Sequence, residues 1–128
     1  MSLDGGTAKE VLKHPNPLLR EISEIVEDPT SDEIQDLVKD LFATMLLEKG
    51  TGIAAPQIGI RKRVLVYFIS SLRAQLEGSK VIPITPLANP VILHKSDEVC
   101  NDWEGCLSVP GIIIILLLIS LFKIGYFI

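Results

Sequence analysis

The sequence has little of several features that mark particular classes of protein. Two cysteines in 128 residues are too few for a disulfide framework, and aromatic residues make up only 5%. No run of Lys or Arg is longer than Arg61-Lys62-Arg63, and the net charge is −4, so nucleic-acid readout is not expected. Residues 1–6 have neither the basic nor the apolar segment of an export signal, so we expect a cytoplasmic protein with reduced thiols.

Histidine is also scarce, with His14 and His94 the two present. They are not spaced i, i+4, the spacing that places two imidazoles on one helix face. We therefore expect each to be a surface or capping residue. Cys100 lies six residues before Cys106, across Asn101-Asp102-Trp103. We predict that it is a strand residue and not a second metal ligand.

The clearest local signal is a helix, predicted from about Ser31 to Lys49. Thr30 is the expected N-cap, and Glu33 follows three residues later, as in a capping box. Lys49 followed by Gly50 predicts the end of the helix. One apolar face is predicted from residues recurring at spacings of three and four, namely Ile34, Leu37, Val38, Leu41, Phe42 and Met45.

Strands are predicted on both sides of a polar stretch. Residues 63–69 indicate a buried strand, and residues 70–80 a loop or short helical turn. Residues 81–93 carry strand-forming side chains but also three prolines, which lack the N–H that a sheet ladder needs. We therefore expect this segment at sheet edges or bends, because of Pro83, Pro86 and Pro90.

Two short motifs carry the candidate chemistry. The first is Gly50-Thr51-Gly52-Ile53-Ala54-Ala55-Pro56-Gln57, and the second is Glu104-Gly105-Cys106-Leu107-Ser108. A cysteine thiolate can bind a metal, a glutamine amide can donate to an oxyanion, and glycines let the backbone approach a ligand closely. Each signal is weak alone, since a cysteine is commonly a small buried hydrophobe and a Gly-rich loop commonly a turn.

Together the motifs resemble GxGxAAxQ and EGCLS, the first two signature motifs of the peptide deformylases. The resemblance covers roughly residues 9–111 and implies an α+β fold with an N-terminal helix and mixed or antiparallel strands. It implies metal-dependent removal of the formyl group from N-formyl-methionyl nascent peptides, near the ribosome. The implied compartment is a bacterium-like cytoplasm or an organelle of bacterial origin.

The resemblance also assigns roles to residues. Cys106 would be a thiolate ligand to a divalent metal, Fe²⁺ in many members, with Zn²⁺ or Ni²⁺ as alternatives. Gln57 and the backbone N–H of Leu107 would stabilise the oxyanion. Glu104 would support the second motif structurally. The methionyl-peptide site would be lined by Gly50, Gly52, Ile53 and Gly105.

The family's third motif, HExxH, supplies two more ligands and the catalytic base, and it does not occur in this sequence. The expected fold therefore lacks the central HExxH helix. We predict a truncated deformylase-like domain over residues 1–111 and an apolar tail over residues 112–128. We expect the 128-residue chain to be inactive, with a non-catalytic remnant or peptide-binding module as the alternative function.

Three interpretations of the tail stay open. Its isoleucines favour strand, and it could pack into the core in place of the missing helix. It could enter a membrane, although its 17 residues are at the lower limit for a span. It could be non-native, the product of a frameshift, a truncated gene or a sequence-assignment problem. The abrupt change in composition at Gly111 favours this third interpretation.

Overall fold

The computed structural model describes residues 2–119 and 122–127, and from residue 112 onward it describes the backbone. Two helices and six strands form an α+β fold with antiparallel sheets, as predicted. In chain order the elements are a 3-10 helix Pro17–Arg20, α1 Asp32–Leu47, β1 Gly52–Ala54, a 3-10 helix Ala55–Ile58, β2 Val64–Ile69, α2 Ser71–Glu77, β3 Ile82–Lys95, β4 Val99–Cys106, β5 Val109–Ile119 and β6 Phe122–Phe127.

The strands form two sheets, one with the order β1-β2-β3-β6 and a two-stranded ribbon of β4 and β5. Helix α1 packs on β1 and β2, where its apolar face meets the inward side chains of the first sheet. Burying each large aliphatic side chain contributes about 1.5–3 kcal/mol. The core comprises Val11, Val26, Ile34, Leu37, Val38, Leu41, Met45, Ile53, Ala55, Val64 and Val66.

The helix prediction is confirmed for α1, but its N-cap is Ser31 and not Thr30. The Ser31 hydroxyl accepts a hydrogen bond from the N–H of Ile34 at 3.4 Å. Thr30 is engaged elsewhere, because its hydroxyl and its N–H both donate to the Asp28 carboxylate, at 2.6 and 2.9 Å. The Asp28 turn therefore leaves the capping role to the next residue.

Helix α1 ends near the predicted Lys49-Gly50 stop, with Leu47 as its last residue. Lys49, and not Gly50, takes the left-handed conformation, with φ of 56°. The N–H of Gly50 then donates to the carbonyl of Met45 at 2.9 Å, which satisfies one of the free carbonyls at the helix end. This turn leads directly into β1 and the first motif.

The prediction that prolines confine residues 81–93 to edges or bends is confirmed at each proline but not for the strand as a whole, because β3 lies between β2 and β6. The sheet accommodates the prolines locally. Pro83 and Pro90 fall where the pairing register shifts. The N–H of Asn89 donates to the carbonyl of Arg63, so these two residues form a hydrogen-bonded pair. Hydrogen-bonded and non-hydrogen-bonded pairs alternate along an antiparallel ladder, so the pair of Pro86 and Val66 is a non-hydrogen-bonded one. The nitrogen of Pro86 therefore faces away from β2, and the pairing with β6 begins only at Ala88.

The predicted apolar tail is extended over its described backbone. Strand β5 pairs with β4, and β6 pairs with β3, both antiparallel. Whether these side chains fill the core lies outside the described residues. Among the helices that the structure does describe, none has the length and apolar character needed to cross a membrane. The strand preference of the isoleucine run is thus confirmed at the level of the backbone.

Candidate functional site

The two motifs meet at a cleft of about 540 Å³ between the edge of the first sheet and the β4–β5 ribbon. Strand β1 is at that edge, so none of the described strands pairs with its outer side. The cleft is lined by both motifs, by the end of α1 and by one residue of the N-terminal segment. Its lining residues are Lys13, Glu48, Lys49, Gly50, Thr51, Gly52, Gln57, Gly105, Cys106, Leu107, Val109, Pro110 and Gly111.

The side chain of Gln57 joins the two motifs. The 3-10 helix Ala55–Ile58 follows β1 at once and brings Gln57 back beside that strand, where its Oε1 accepts from the N–H of Ala54 at 2.9 Å. Its Nε2 donates to the hydroxyl of Ser108 at 3.1 Å. Ser108 is only 5% exposed, so this bond satisfies a buried hydroxyl. The amide is therefore held in one orientation, with its N–H₂ group toward the second motif.

Cys106 is the last residue of β4, and its thiol is exposed. Its Sγ lies 3.8 Å from Nε2 of Gln57, so the predicted ligand and the predicted oxyanion donor are neighbours. Leu107 follows in the turn between β4 and β5. Among the described residues, its N–H has no hydrogen-bond acceptor, whereas its carbonyl accepts from Lys13.

The N-terminal segment binds both motifs, and the sequence prediction missed this. The N–H of Leu12 donates to the carbonyl of Gln57 at 2.7 Å, and the N–H of His14 donates to the carbonyl of Ser108 at 2.8 Å. Between them, the Nζ of Lys13 donates to the carbonyl of Leu107 at 3.1 Å. Backbone bonds of this kind leave no residue-type signal, so nothing in the sequence pattern indicated them.

Of the four residues predicted to line the peptide site, Gly50 and Gly52 line the cleft from the first motif and Gly105 lines it from β4. The fourth, Ile53, does not line the cleft. Ile53 is 3% exposed and belongs to the core. A Cβ on Gly50 would come within 2.8 Å of Cδ1 of Leu107, so the Leu107 side chain would have to shift to accept any larger residue at this position. A Cβ on Gly105 would meet no protein atom within 4 Å, and Gly105 belongs to the cleft lining.

The remaining singled-out residues do not join the cleft. Glu104 lies in β4 with an exposed side chain that has no hydrogen bond or ion pair within the described part of the chain. Cys100 is a strand residue of β4, as predicted. His14 and His94 are both exposed, the second near the end of β3.

Comparisons with known proteins agree with this geometry. The family model described as polypeptide deformylase matches residues 8–116. The chain is 40% identical over 104 residues to peptide deformylase 1 of Prochlorococcus marinus, covering 81% of this chain and 54% of the relative. The chain thus spans about half the length of this curated relative.

Solved structures are similar over most of the described fold. Peptide deformylase from Ehrlichia chaffeensis matches with a TM-score of 0.82 at 32% identity, covering 94% of this chain and 68% of that one. A Met-ala-ser bound peptide deformylase from Acinetobacter baumannii matches with a TM-score of 0.83 at 30% identity, covering 95% and 77%. The chain therefore belongs to the polypeptide deformylase family.

Proposed function

We propose that the cleft binds an N-formyl-methionyl peptide and that this chain carries one part of a deformylase active site. The observation that carries the proposal is the meeting of Gln57, Cys106 and Leu107 across the cleft. The bound Met-ala-ser of the Acinetobacter baumannii relative supports a peptide as the ligand class. The reaction of the intact site is hydrolysis of the formyl amide, in which water adds to the formyl carbon, the C–N bond breaks, and formate and a free amino group result.

An extended peptide fits the outer edge of β1. The N–H of Phe68 donates to the carbonyl of Thr51, so the backbone groups of Thr51 face β2. Every second residue of a strand faces the same neighbour, so the backbone groups of Ile53 face β2 as well. By alternation, the N–H and carbonyl of Gly52 point outward, to the cleft. A peptide strand added there would gain backbone hydrogen bonds, and the missing side chain of Gly105 would leave room opposite it.

We propose two donors for the oxyanion, the N–H of Leu107 and the side-chain amide of Gln57. The N–H of Leu107 has no acceptor among the described residues. The amide of Gln57 is already oriented by Ala54 and Ser108, so it needs little reorganisation when charge develops on the substrate oxygen. The role proposed for Glu104 in supporting the second motif has no contact in its favour among the described residues.

The described side chains do not fit a catalytic divalent metal. They contain no group of three His, Cys, Asp or Glu residues that could hold an ion, and Cys106 is a single exposed thiol. Catalytic zinc sites commonly use three protein ligands and a water. We therefore derive no step through Fe²⁺, Zn²⁺ or Ni²⁺, and we propose that the 128-residue chain, assayed alone, binds peptide without hydrolysing it. Binding without catalysis is also the alternative function, a peptide-binding module.

The biological partner follows from the same proposal. Formyl-methionyl termini occur on nascent chains, so we place the chain near the ribosome, in a bacterium-like cytoplasm or in an organelle of bacterial origin. Two lysines in the described lining of the cleft are too few for the extended basic surface that nucleic-acid binding requires.

The experiment compares turnover and binding of formyl-Met-Ala-Ser by purified protein incubated with Fe²⁺, Zn²⁺ or Ni²⁺. We expect no formate release above buffer, substoichiometric metal by elemental analysis, and measurable peptide binding. Gly105→Ala should weaken binding without loss of stability, because it adds a methyl group at a lining position of the cleft where no protein atom lies within 4 Å. Ala74→Gly, in α2 and outside the cleft, should lower stability through lost helix propensity, so it shows whether a loss of stability alone weakens binding.

Turnover close to that of a full-length relative would overturn the proposed inactivity. Absence of peptide binding to the wild-type chain would overturn the assignment of the cleft. Binding that Gly105→Ala leaves unchanged would place the peptide elsewhere on the molecule.

A further inference from the structure

Lys13 is an ammonium group held in a fixed place at the cleft. The residues on either side are tied down by backbone bonds, Leu12 to the first motif and His14 to the second. The Nζ of Lys13 itself donates to the carbonyl of Leu107 at 3.1 Å. An ammonium has three N–H donors, so two remain for a ligand after this bond is made. The charge is therefore positioned before any ligand arrives.

Within the described part of the chain, no acidic group forms an ion pair with Lys13. The cleft lining holds two lysines, Lys13 and Lys49, against one acid, Glu48. These three side chains give the lining one net positive charge, whereas the whole chain has a net charge of −4.

Of the two lysines, Lys13 is the better placed to bind an anion. Lys49 follows Glu48 directly in sequence, so an opposite charge lies beside it in the same lining. The side chain of Lys49 has no hydrogen bond within the described residues, and ordering it around a ligand would cost rotamer entropy. Lys13 is already held by Leu107, so less of that entropy is lost on binding.

We propose that Lys13 forms a subsite for a carboxylate carried by the peptide in the cleft. This inference rests on the proposed function, because it specifies which peptides the cleft prefers. Two sources share this chemistry, the terminal carboxylate of a short peptide and an acidic side chain downstream of the methionine. Lys13 is exposed, so water screens the pair. An exposed ion pair changes affinity by about two- to five-fold.

The test measures the affinity of three peptides by titration calorimetry in low salt. They are formyl-Met-Ala-Ser with a free carboxylate, the same peptide as its amide, and formyl-Met-Ala-Asp amide. The proteins are wild type, Lys13→Met, Lys13→Arg, and Lys80→Met, which removes the same charge at an exposed position outside the cleft lining. Urea unfolding of each variant verifies that it is folded.

We expect wild type to prefer at least one carboxylate-bearing peptide over the neutral amide by about two- to five-fold. The preference should disappear in Lys13→Met and persist in Lys13→Arg and Lys80→Met. In wild type it should also disappear in 1 M salt, where the Debye length is about 3 Å. Which acidic peptide is preferred distinguishes the two sources. An equal preference in wild type and Lys13→Met, or equal binding of all three peptides to wild type, would overturn the subsite and leave the proposed function intact. Failure of every peptide to bind wild type would overturn the proposed function, and the subsite with it.

Discussion

The hydrogen bond between Gln57 and Ser108 joins the two motifs, so its removal should show as an energetic coupling between them. Gln57→Ala removes two short hydrogen bonds, those with Ala54 and Ser108, together with the long 3.8 Å contact to Sγ of Cys106, and Ser108→Ala removes one of the short bonds. Each such bond contributes about 1 kcal/mol net, so the single variants should lose about 2 and about 1 kcal/mol of unfolding free energy. The double variant should lose about 2 and not about 3 kcal/mol, because both single variants delete the same bond. The coupling is then about 1 kcal/mol.

The assay is urea unfolding of wild type, both single variants and the double variant, at constant m-value. Gln35→Ala is the matched control, since Gln35 is also a glutamine with one Nε2 bond, to the carbonyl of Thr30, and it is remote from Ser108. Its effect should add to that of Ser108→Ala within about 0.3–0.5 kcal/mol. If the losses of unfolding free energy in Gln57→Ala and Ser108→Ala also added within this range, the conclusion that their hydrogen bond joins the two motifs would be refuted.

Other predictions follow from the same contacts. Gly50→Ala should reduce both stability and peptide affinity, because its methyl group displaces the side chain of Leu107. Urea unfolding and calorimetry measure the two effects, and unchanged values would show that the motifs do not pack so closely. Ser31→Ala should cost about 1 kcal/mol of unfolding free energy through loss of the N-cap, and an effect near zero would remove Ser31 from that role. Hydrogen bonds from the Thr30 hydroxyl and N–H hold the pKa of Asp28 below its ordinary value of 3.8. This stabilisation is present above the unfolded pKa and lost as pH falls through the folded pKa, so in an NMR titration Thr30→Val should raise the pKa of Asp28, and no change would contradict the assigned cause.

Much of the fold could be predicted because local patterns and local structure agree. The apolar spacing in α1 specifies a helix face whatever its partners, and the β-branched run in β2 specifies a buried strand. The N-cap was misassigned because Asp28 competes for Thr30, and sequence spacing cannot rank Thr30 against Ser31. The central position of β3 was not predicted, because the sequence does not show that β6 pairs with β3 only from Ala88 onward and so leaves the nitrogen of Pro86 unopposed.

The candidate site was predicted in part. The motifs identified Gln57 and Cys106, and the structure brings these two side chains to 3.8 Å. Lys13 could not be found from the sequence, because its partner is a backbone carbonyl 94 residues away. The part played by Ser108 was also missed, because a serine at the end of a motif has no signature of burial.

The most direct test of the central claim is a ¹H–¹⁵N NMR titration of the wild-type chain with formyl-Met-Ala-Ser. The account predicts that the backbone amides of Gly52, Gly105 and Leu107 shift together with one dissociation constant, and that no formate signal appears during the titration. Saturating shifts confined to residues outside the cleft, or steady release of formate, would contradict it.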